Sequence, residues 1–458
     1  MKNLFNRQSG PKEWADTHHS TYDFVKFVAI GFTRRMVEVE VENQERAEGR
    51  RRPKRRKQGP TVIDLGNGHS ITTTNSHKFL GVILDKELRF KEHAAYAVGK
   101  GAKWATQVRR LARMAKGMHG DFARQLYYTV AAKSMLYAVD VWGSIGVGGD
   151  GKDRTWGIGG VLKKLESVQR QAAIQSTGAL RSTLSDLLFA HADMLPMKEN
   201  IKLICQAAAL RIASLPKDHP TAAAGHRAMA INPRVHPSPL NNIMHISKIK
   251  PDMIETIDTL CKSPRWRSPF KTEILSMKDE ALQAEKEREV DVKIYSDGSG
   301  HDGHIGAAAV LIYGHREPKV ARHYLGPDTE HTVYEGECVG QLLGMGLLQR
   351  HTSNLSHSNT ALLVDNQSSI TSHHARKPRP GSYIIESICT THMDVRKRHS
   401  GIKIRIHWIP GHKDIKYSDV VDAHAKKAAE GSQHNCNNRV GILKKRLPCS
   451  RSATKQKL

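Results

Sequence analysis

Apolar and polar positions change their rhythm near residue 291. From there, 292–296, 305–313 and 320–324 are short apolar or alternating runs separated by glycine-rich turns, the pattern of three successive strands. A helical pattern follows over 333–350, then a continuously apolar strand at 361–364, as a strand covered on both faces should read. A helix at about 381–399, an alternating strand at 403–408 and a helix from 418 to the glycine at 431 complete the block. Three strands joined by turns, then strands separated by helices, predict an α/β fold. It should hold a mixed five-stranded sheet with flanking helices.

The first half reads differently. Residues 61–92 suggest a small β unit, with 78–85 as one strand whose Gly81 marks a bulge or a close backbone approach. Residues 93–215 are mostly helical, with amphipathic stretches near 108–118, 126–142, 161–177 and 201–215. Residues 216–290 are rich in Pro, His and Lys with weak periodicity, and read as a linker with one late helix near 272–289. The expected division is a remnant and basic disordered segment at 1–60, a helical region at 61–215, the linker at 216–290, an α/β domain at 291–431 and a basic disordered tail at 432–458.

Charge sharpens this division. The 458 residues carry a net charge of +26, which makes a polyanionic partner the expectation. Residues 291–430 hold 17 basic and 15 acidic side chains, leaving 54 basic against 30 acidic elsewhere, so the excess lies in the flanks. The run Arg-Ala-Glu-Gly-Arg-Arg-Arg-Pro-Lys-Arg-Arg-Lys at 46–57 and the acid-free 431–458 could each contact phosphates. Solvated arms and, for 50–57, nuclear targeting are the other readings. The six cysteines form no Cys-x-x-Cys pair and read as reduced thiols of an intracellular protein. The longest strictly apolar run is nine residues, too short for a membrane span, and no secretory signal is expected at the start.

The carboxylates fall at informative places. Asp297 ends the first predicted strand, in Tyr295-Ser-Asp-Gly-Ser-Gly300, and Asp365 ends the apolar strand, in Leu362-Leu-Val-Asp-Asn-Gln367. Glu337 lies in the first turns of a helix, in Thr332-Val-Tyr-Glu-Gly-Glu-Cys338, and Asp422 in the first turns of the last one, in Ser418-Asp-Val-Val-Asp422. Taken singly, such acids are ordinary strand-end or helix N-terminal residues. Four converging acids would repel one another unless divalent cations neutralised them. That pattern suits a two-metal phosphoryl-transfer site with hard oxygen ligands for Mg²⁺. Glycines 336, 340 and 344 stripe the helix of Glu337 and imply a close neighbour, the sheet before a nucleic-acid backbone.

With Trp408-Ile-Pro-Gly-His412 placed between the last strand and the last helix, these five elements in this order closely resemble type 1 ribonuclease H over about 291–430. The resemblance implies that Asp297, Glu337, Asp365 and Asp422 hold two Mg²⁺ ions, with Mn²⁺ able to substitute, and that His412 moves a proton. Glu335 is the competing helix acid. It also implies an RNA–DNA hybrid as partner, cut in its RNA strand, with Gly298, Ser299, Gly300 and Asn366 toward the substrate and RNA 2′-hydroxyls marking the strand. A DNA nuclease or integrase-like enzyme on the same fold, or a non-enzymatic nucleic-acid binder, are the rivals.

Trp14-Ala-Asp-Thr-His18, Lys78-Phe-Leu-Gly-Val-Ile-Leu-Asp-Lys-Glu-Leu88, Met135-Leu-Tyr-Ala-Val-Asp-Val-Trp-Gly143 and Val168-Gln-Arg-Gln171 through Thr177-Gly-Ala-Leu-Arg-Ser-Thr183 resemble a non-LTR retrotransposon polyprotein. The similar stretch is the reverse transcriptase thumb and connection, beyond the catalytic turn. No Asp-Asp dipeptide occurs anywhere in the chain, so a truncated polymerase remnant without synthetic activity is expected.

Overall fold

The structure is a computed structural model of the chain. It describes residues 7–33, 36–38, 55–57, 59–66, 68–111, 117–147, 153–154, 158–231, 238–351, 357–411 and 415–458. These form two compact units, one of residues 1–205 with 233–246 and the other of 206–232 with 247–458. No described helix is long and apolar enough to cross a membrane.

The first unit is built from hairpins and helices. Its strands Val62–Gly66 and His69–Thr72 pair with each other, as do Ser76–Phe79 and Val82–Asp85. The run 78–85 is therefore a hairpin and not a single bulged strand. Leu80 and Gly81 both have positive φ, 47° and 86°, which is the geometry of a two-residue turn between twisted strands. The helix Lys91–Leu111 packs against Gly159–Thr177. The expected helix 126–142 breaks at Ala138, whose φ is 53°, and Leu136 and Val139 are buried on either side of that kink. Most of the basic run at 46–57 lies outside the described residues, except Arg55–Lys57, a strand paired antiparallel with Met36–Glu38.

The second unit carries the sheet. Its strands are β1 (Lys271–Glu273), β2 (Val292–His301), β3 (His304–Tyr313), β4 (Lys319–Pro327), β5 (His357–Val364) and β6 (Gly401–Trp408). From residue 278 on, its α-helices are α1 (Lys278–Glu287), α2 (Val333–His351), α3 (Gln367–Ser372), α4 (Ser382–Arg398), α5 (Lys416–Ala429) and α6 (Arg451–Lys457). The sheet order is β4-β3-β2-β5-β6-β1, with β2/β3 and β3/β4 antiparallel and the remaining pairs parallel. This is the expected α/β fold with a mixed sheet and flanking helices. The sixth strand, β1, comes from the segment read as a linker, where the expected helix 272–289 splits into β1 and α1.

Alternation explains the nine-residue apolar run on β3. Ala307, Ala309 and Leu311 enter a core with α2 and α4, while Ala308 and Val310 enter a second core with Val421 and Ala425 of α5. Both faces are covered, so both sets of side chains are apolar.

Two segments are more ordered than their composition suggests. Phe270, 2% exposed, belongs to the larger core, and the carboxylate of Glu255 accepts from the backbone N–H groups of Gly381 and Arg451, both at 2.7 Å. The segments around Glu255 and Phe270 are thus no open linker. Residues 432–458 are no disordered tail either: Val440, Leu443 and Leu447 sit in the same core, and Cys436 exchanges backbone hydrogen bonds with Arg322 of β4. The basic side chains Lys444, Lys445 and Arg446 point outward between those anchors. Three buried apolar residues within eight positions, set among basic neighbours, are too few to establish a period.

Candidate active site

The site forms where the sheet splits. Strand β2 pairs with β5 up to Ser296 opposite Val364, so Asp297 and Asp365 are the next residues on adjacent strands. Asp297 does not end its strand as expected, since β2 continues to His301 along β3. What ends there is the pairing with β5, and the two carboxylates occupy the gap. Trp408 of β6 donates its indole N–H to the Asp365 carbonyl at 2.9 Å, fixing the strand end.

The glycine stripe brings Glu337 to the same place. A Cβ on Gly340 would lie 2.8 Å from the carbonyl oxygen of Asp297, and one on Gly298 would lie 2.1 Å from the backbone nitrogen of Glu337. Only glycine permits α2 to touch β2 backbone to backbone at these points. The close neighbour of the stripe is the sheet.

Ligand oxygens of Asp297, Glu337 and Asp365 all lie within 4.8 Å of one another. Glu337 is 5% exposed, and its Oε2 is buried with no hydrogen-bond partner. Burial and the neighbouring Asp365 and Asp297 charges push its carboxyl up to about 10, against the pull of the Gly298 N–H and the Asn366 side chain. Glu335 faces away, bonding the Thr332 backbone N–H at 2.9 Å, so Glu337 is the helix acid of the cluster.

Asp422 stands apart from these three but lines the same cleft, of about 310 Å³. Its carboxylate holds Lys426 at 2.8 Å, one helical turn on. Asp419 and Lys426 also line the cleft, and sequence reasoning missed both. Their spacing of three before and four after Asp422 on a helix was the available signal. His412 lies outside the described residues. Gly411 just before it passes the acid cluster so closely that a Cβ would lie 2.9 Å from Asp365 Oδ2.

The expected substrate residues divide. Ser299 and Gly300 line the cleft. Gly298 also lines it, but its Cα lies against the face of α2. Asn366 caps α3, accepting the Ser369 N–H at 3.0 Å, and its side chain also favours the ionised form of the nearby Glu337 carboxyl. It supports the acids before it can meet a substrate.

No family model matches the chain, and no curated protein matches it. Solved structures do match in part. The N-terminal RNase H domain of a Mycobacterium tuberculosis protein, fused to maltose-binding protein, is 20% identical over 32% of this chain and 99% of that one, with a TM-score of 0.24. LC11-RNase H1 in complex with an RNA/DNA hybrid is 12% identical over 30% of this chain and 96% of that one, with a TM-score of 0.24. A prototype foamy virus protease-reverse transcriptase is 13% identical, covering 38% of this chain and 23% of that one, with a TM-score of 0.24. Likenesses of this size do not transfer a function, which must come from the site itself.

Proposed function

We propose that the C-terminal unit is a divalent-metal-dependent nuclease of ribonuclease H type, hydrolysing the RNA strand of RNA–DNA hybrids. The observation that carries this reading is the trio Asp297, Glu337 and Asp365, with ligand atoms within 4.8 Å in a cleft that Asp422 also lines. Three carboxylates so close resist ionising together, and the orphaned Glu337 Oε2 asks for a cation. All-oxygen donors suit Mg²⁺ or Mn²⁺. Bound ions would activate the attacking water and offset charge on the leaving 3′-oxygen. Asp297, Glu337 and Asp365 would hold one ion, and Asp422, once released from Lys426, would serve a second. Ser299 and Gly300 are placed to meet the substrate, and His412 would move a proton.

The test uses the full chain, because a cut at 435 would remove Val440, Leu443 and Leu447 from the core. Labelled hybrid, duplex DNA and duplex RNA are incubated with and without Mg²⁺. Mg²⁺-dependent cleavage confined to RNA in the hybrid supports the reading. Cleavage of duplex DNA favours the DNA-nuclease rival, and binding without cleavage favours the non-enzymatic one.

We also propose that the N-terminal unit is related to the thumb and connection of a retrotransposon reverse transcriptase, and that residues 1–458 by themselves do not polymerise. Its motifs and the absence of any Asp-Asp pair in the chain support this. A templated product in primer extension by the pure protein would overturn it.

A further inference from the structure

We propose that Gln341, Ser369 and His373 are positioning residues that set the distance between Glu337 and the Asp365 strand end, and so tune the metal affinity of the acid cluster. Gln341 follows Glu337 by one turn of α2 and is fully buried, as are Ser369 and His373. Its side-chain N–H donates to Ser369 Oγ at 2.7 Å. Ser369 Oγ in turn donates to the Asn366 carbonyl at 2.8 Å, and the Ser369 N–H donates to Asn366 Oδ1 at 3.0 Å. Asn366 adjoins Asp365, and its side chain is near enough to Glu337 to favour that carboxyl's ionised form. The chain of contacts therefore closes a ring, from Glu337 along the helix to Gln341, across to Ser369, and back through Asn366.

His373 fixes the orientation of the amide. Its Nε2 lies 2.8 Å from Gln341 Oε1, an acceptor once the Gln341 N–H is given to Ser369, so the ring carries its proton on Nε2. Phe270 packs edge-on against that ring at 4.9 Å. The bonds of Gln341 to Ser369 and to His373 are buried, so no solvent molecule can replace a lost partner there. None of the three side chains reaches the cleft, so their action passes through Asn366 and Glu337.

The kinetic part of this inference rests on the nuclease reading, while the metal-binding part does not. Gln341→Met keeps the volume and removes both hydrogen bonds, and Ser369→Ala removes a single oxygen. Mn²⁺ binding to the full chain is measured by calorimetry without nucleic acid, alongside kcat and KM on hybrid. Each variant should weaken Mn²⁺ binding by about 10- to 100-fold, with kcat reduced and KM unchanged. A lowered melting temperature with unchanged Mn²⁺ affinity would overturn the proposal, leaving the ring as core packing. If Gln341→Met does not fold, Ser369→Ala decides alone. Weakened Mn²⁺ binding in a protein that cuts no hybrid would keep the positioning role and remove the nuclease. A wild-type chain that binds no Mn²⁺ would remove both.

Discussion

The two units treat their acids in opposite ways, and the frame around each acid explains why. In the N-terminal unit the described strands pair only two at a time, and Val62, Phe79 and Leu80 are 65%, 59% and 76% exposed. Asp85 there turns its carboxylate to the N–H groups of Glu87, Arg89 and Phe90, an ordinary local turn. Asp23 likewise accepts the Val25 N–H. In the C-terminal unit the strands on either side of the acids are covered on both faces, and Asp297 and Glu337 are 9% and 5% exposed. Mutual repulsion among buried carboxylates needs a frame that cannot relax, and a sheet with helices on both faces supplies one. An acid on a two-stranded hairpin has water and backbone amides at hand, and its carboxylate is satisfied locally.

The largest test of that contrast exchanges one carboxylate for an amide in each unit. Asp365→Asn should keep the fold and lower hybrid cleavage by more than the about 100-fold expected from an outer-shell partner. Asp85→Asn should leave cleavage unchanged, with a stability loss of about 1 kcal/mol from the weakened turn. Near-normal cleavage by Asp365→Asn, with Mg²⁺ as the sole divalent ion, would show that the cluster is not the reaction centre.

Legibility followed the same contrast. The strands and helices of 291–431 could be read because alternation and helical periodicity were clean, and because Asp297 and Asp365 stand beside apolar runs that end together. The tail could not be read. Val440, Leu443 and Leu447 meet the core through irregular turns, and the basic residues between them look like a solvated arm. Gly81 reads as a bulge or a close approach because a glycine within an apolar run suits those and a turn equally, and the positive φ of Leu80 is invisible in sequence. Gln341 and Ser369 matter only through partners about 30 residues apart, a relation no local pattern records.

The tail gives the next largest effect. Leu443 is 5% exposed among residues of α2 and α4, so Leu443→Ala should destabilise the C-terminal unit by about 2–5 kcal/mol. Chemical denaturation read on that unit's transition checks it. A change under about 0.5 kcal/mol, the usual size for a surface substitution, would return the tail to the status of an arm.

A pH test follows from Glu255. Burial pushes its carboxyl up from the ordinary 4.5 to about 7, against the hydrogen bonds from Gly381 and Arg451. A raised carboxyl means that the folded state holds its proton longer than the unfolded chain does. The contribution of Glu255 to stability is therefore full below about pH 4.5, falls as pH rises to about 7, and is flat above. Buried His323, His373 and His392 are lowered, so their contributions rise with pH and run the other way. The difference between wild type and Glu255→Gln isolates the carboxyl. It should shift against wild type by about 3 kcal/mol between pH 4.5 and 7, at about 1.4 kcal/mol per pKa unit. A difference independent of pH would place Glu255 in contact with water.

The smallest effects make the sharpest comparison, because the same substitution should have opposite signs in the two units. Gly99 lies on the helix Lys91–Leu111 with nothing within 4 Å of where a Cβ would stand. Alanine there adds helix propensity without a clash, so Gly99→Ala should stabilise the N-terminal unit by about 0.5–1 kcal/mol. Gly340 lies on α2 with the carbonyl oxygens of Asp297 and Ala308 at 2.8 and 3.1 Å from a Cβ. Both obstacles are sheet backbone, which cannot swing aside as a flexible side chain would. The propensity gain is the same, but α2 must lift from β2, so Gly340→Ala should destabilise the C-terminal unit by about 1–3 kcal/mol. Because Glu337 would move with the helix, Mn²⁺ affinity should fall as well, whereas Gly99→Ala should not change it. Equal signs at the two positions would mean that α2 can rise without cost, and the acid cluster would then lack the rigid frame that separates it from the acids of the N-terminal unit.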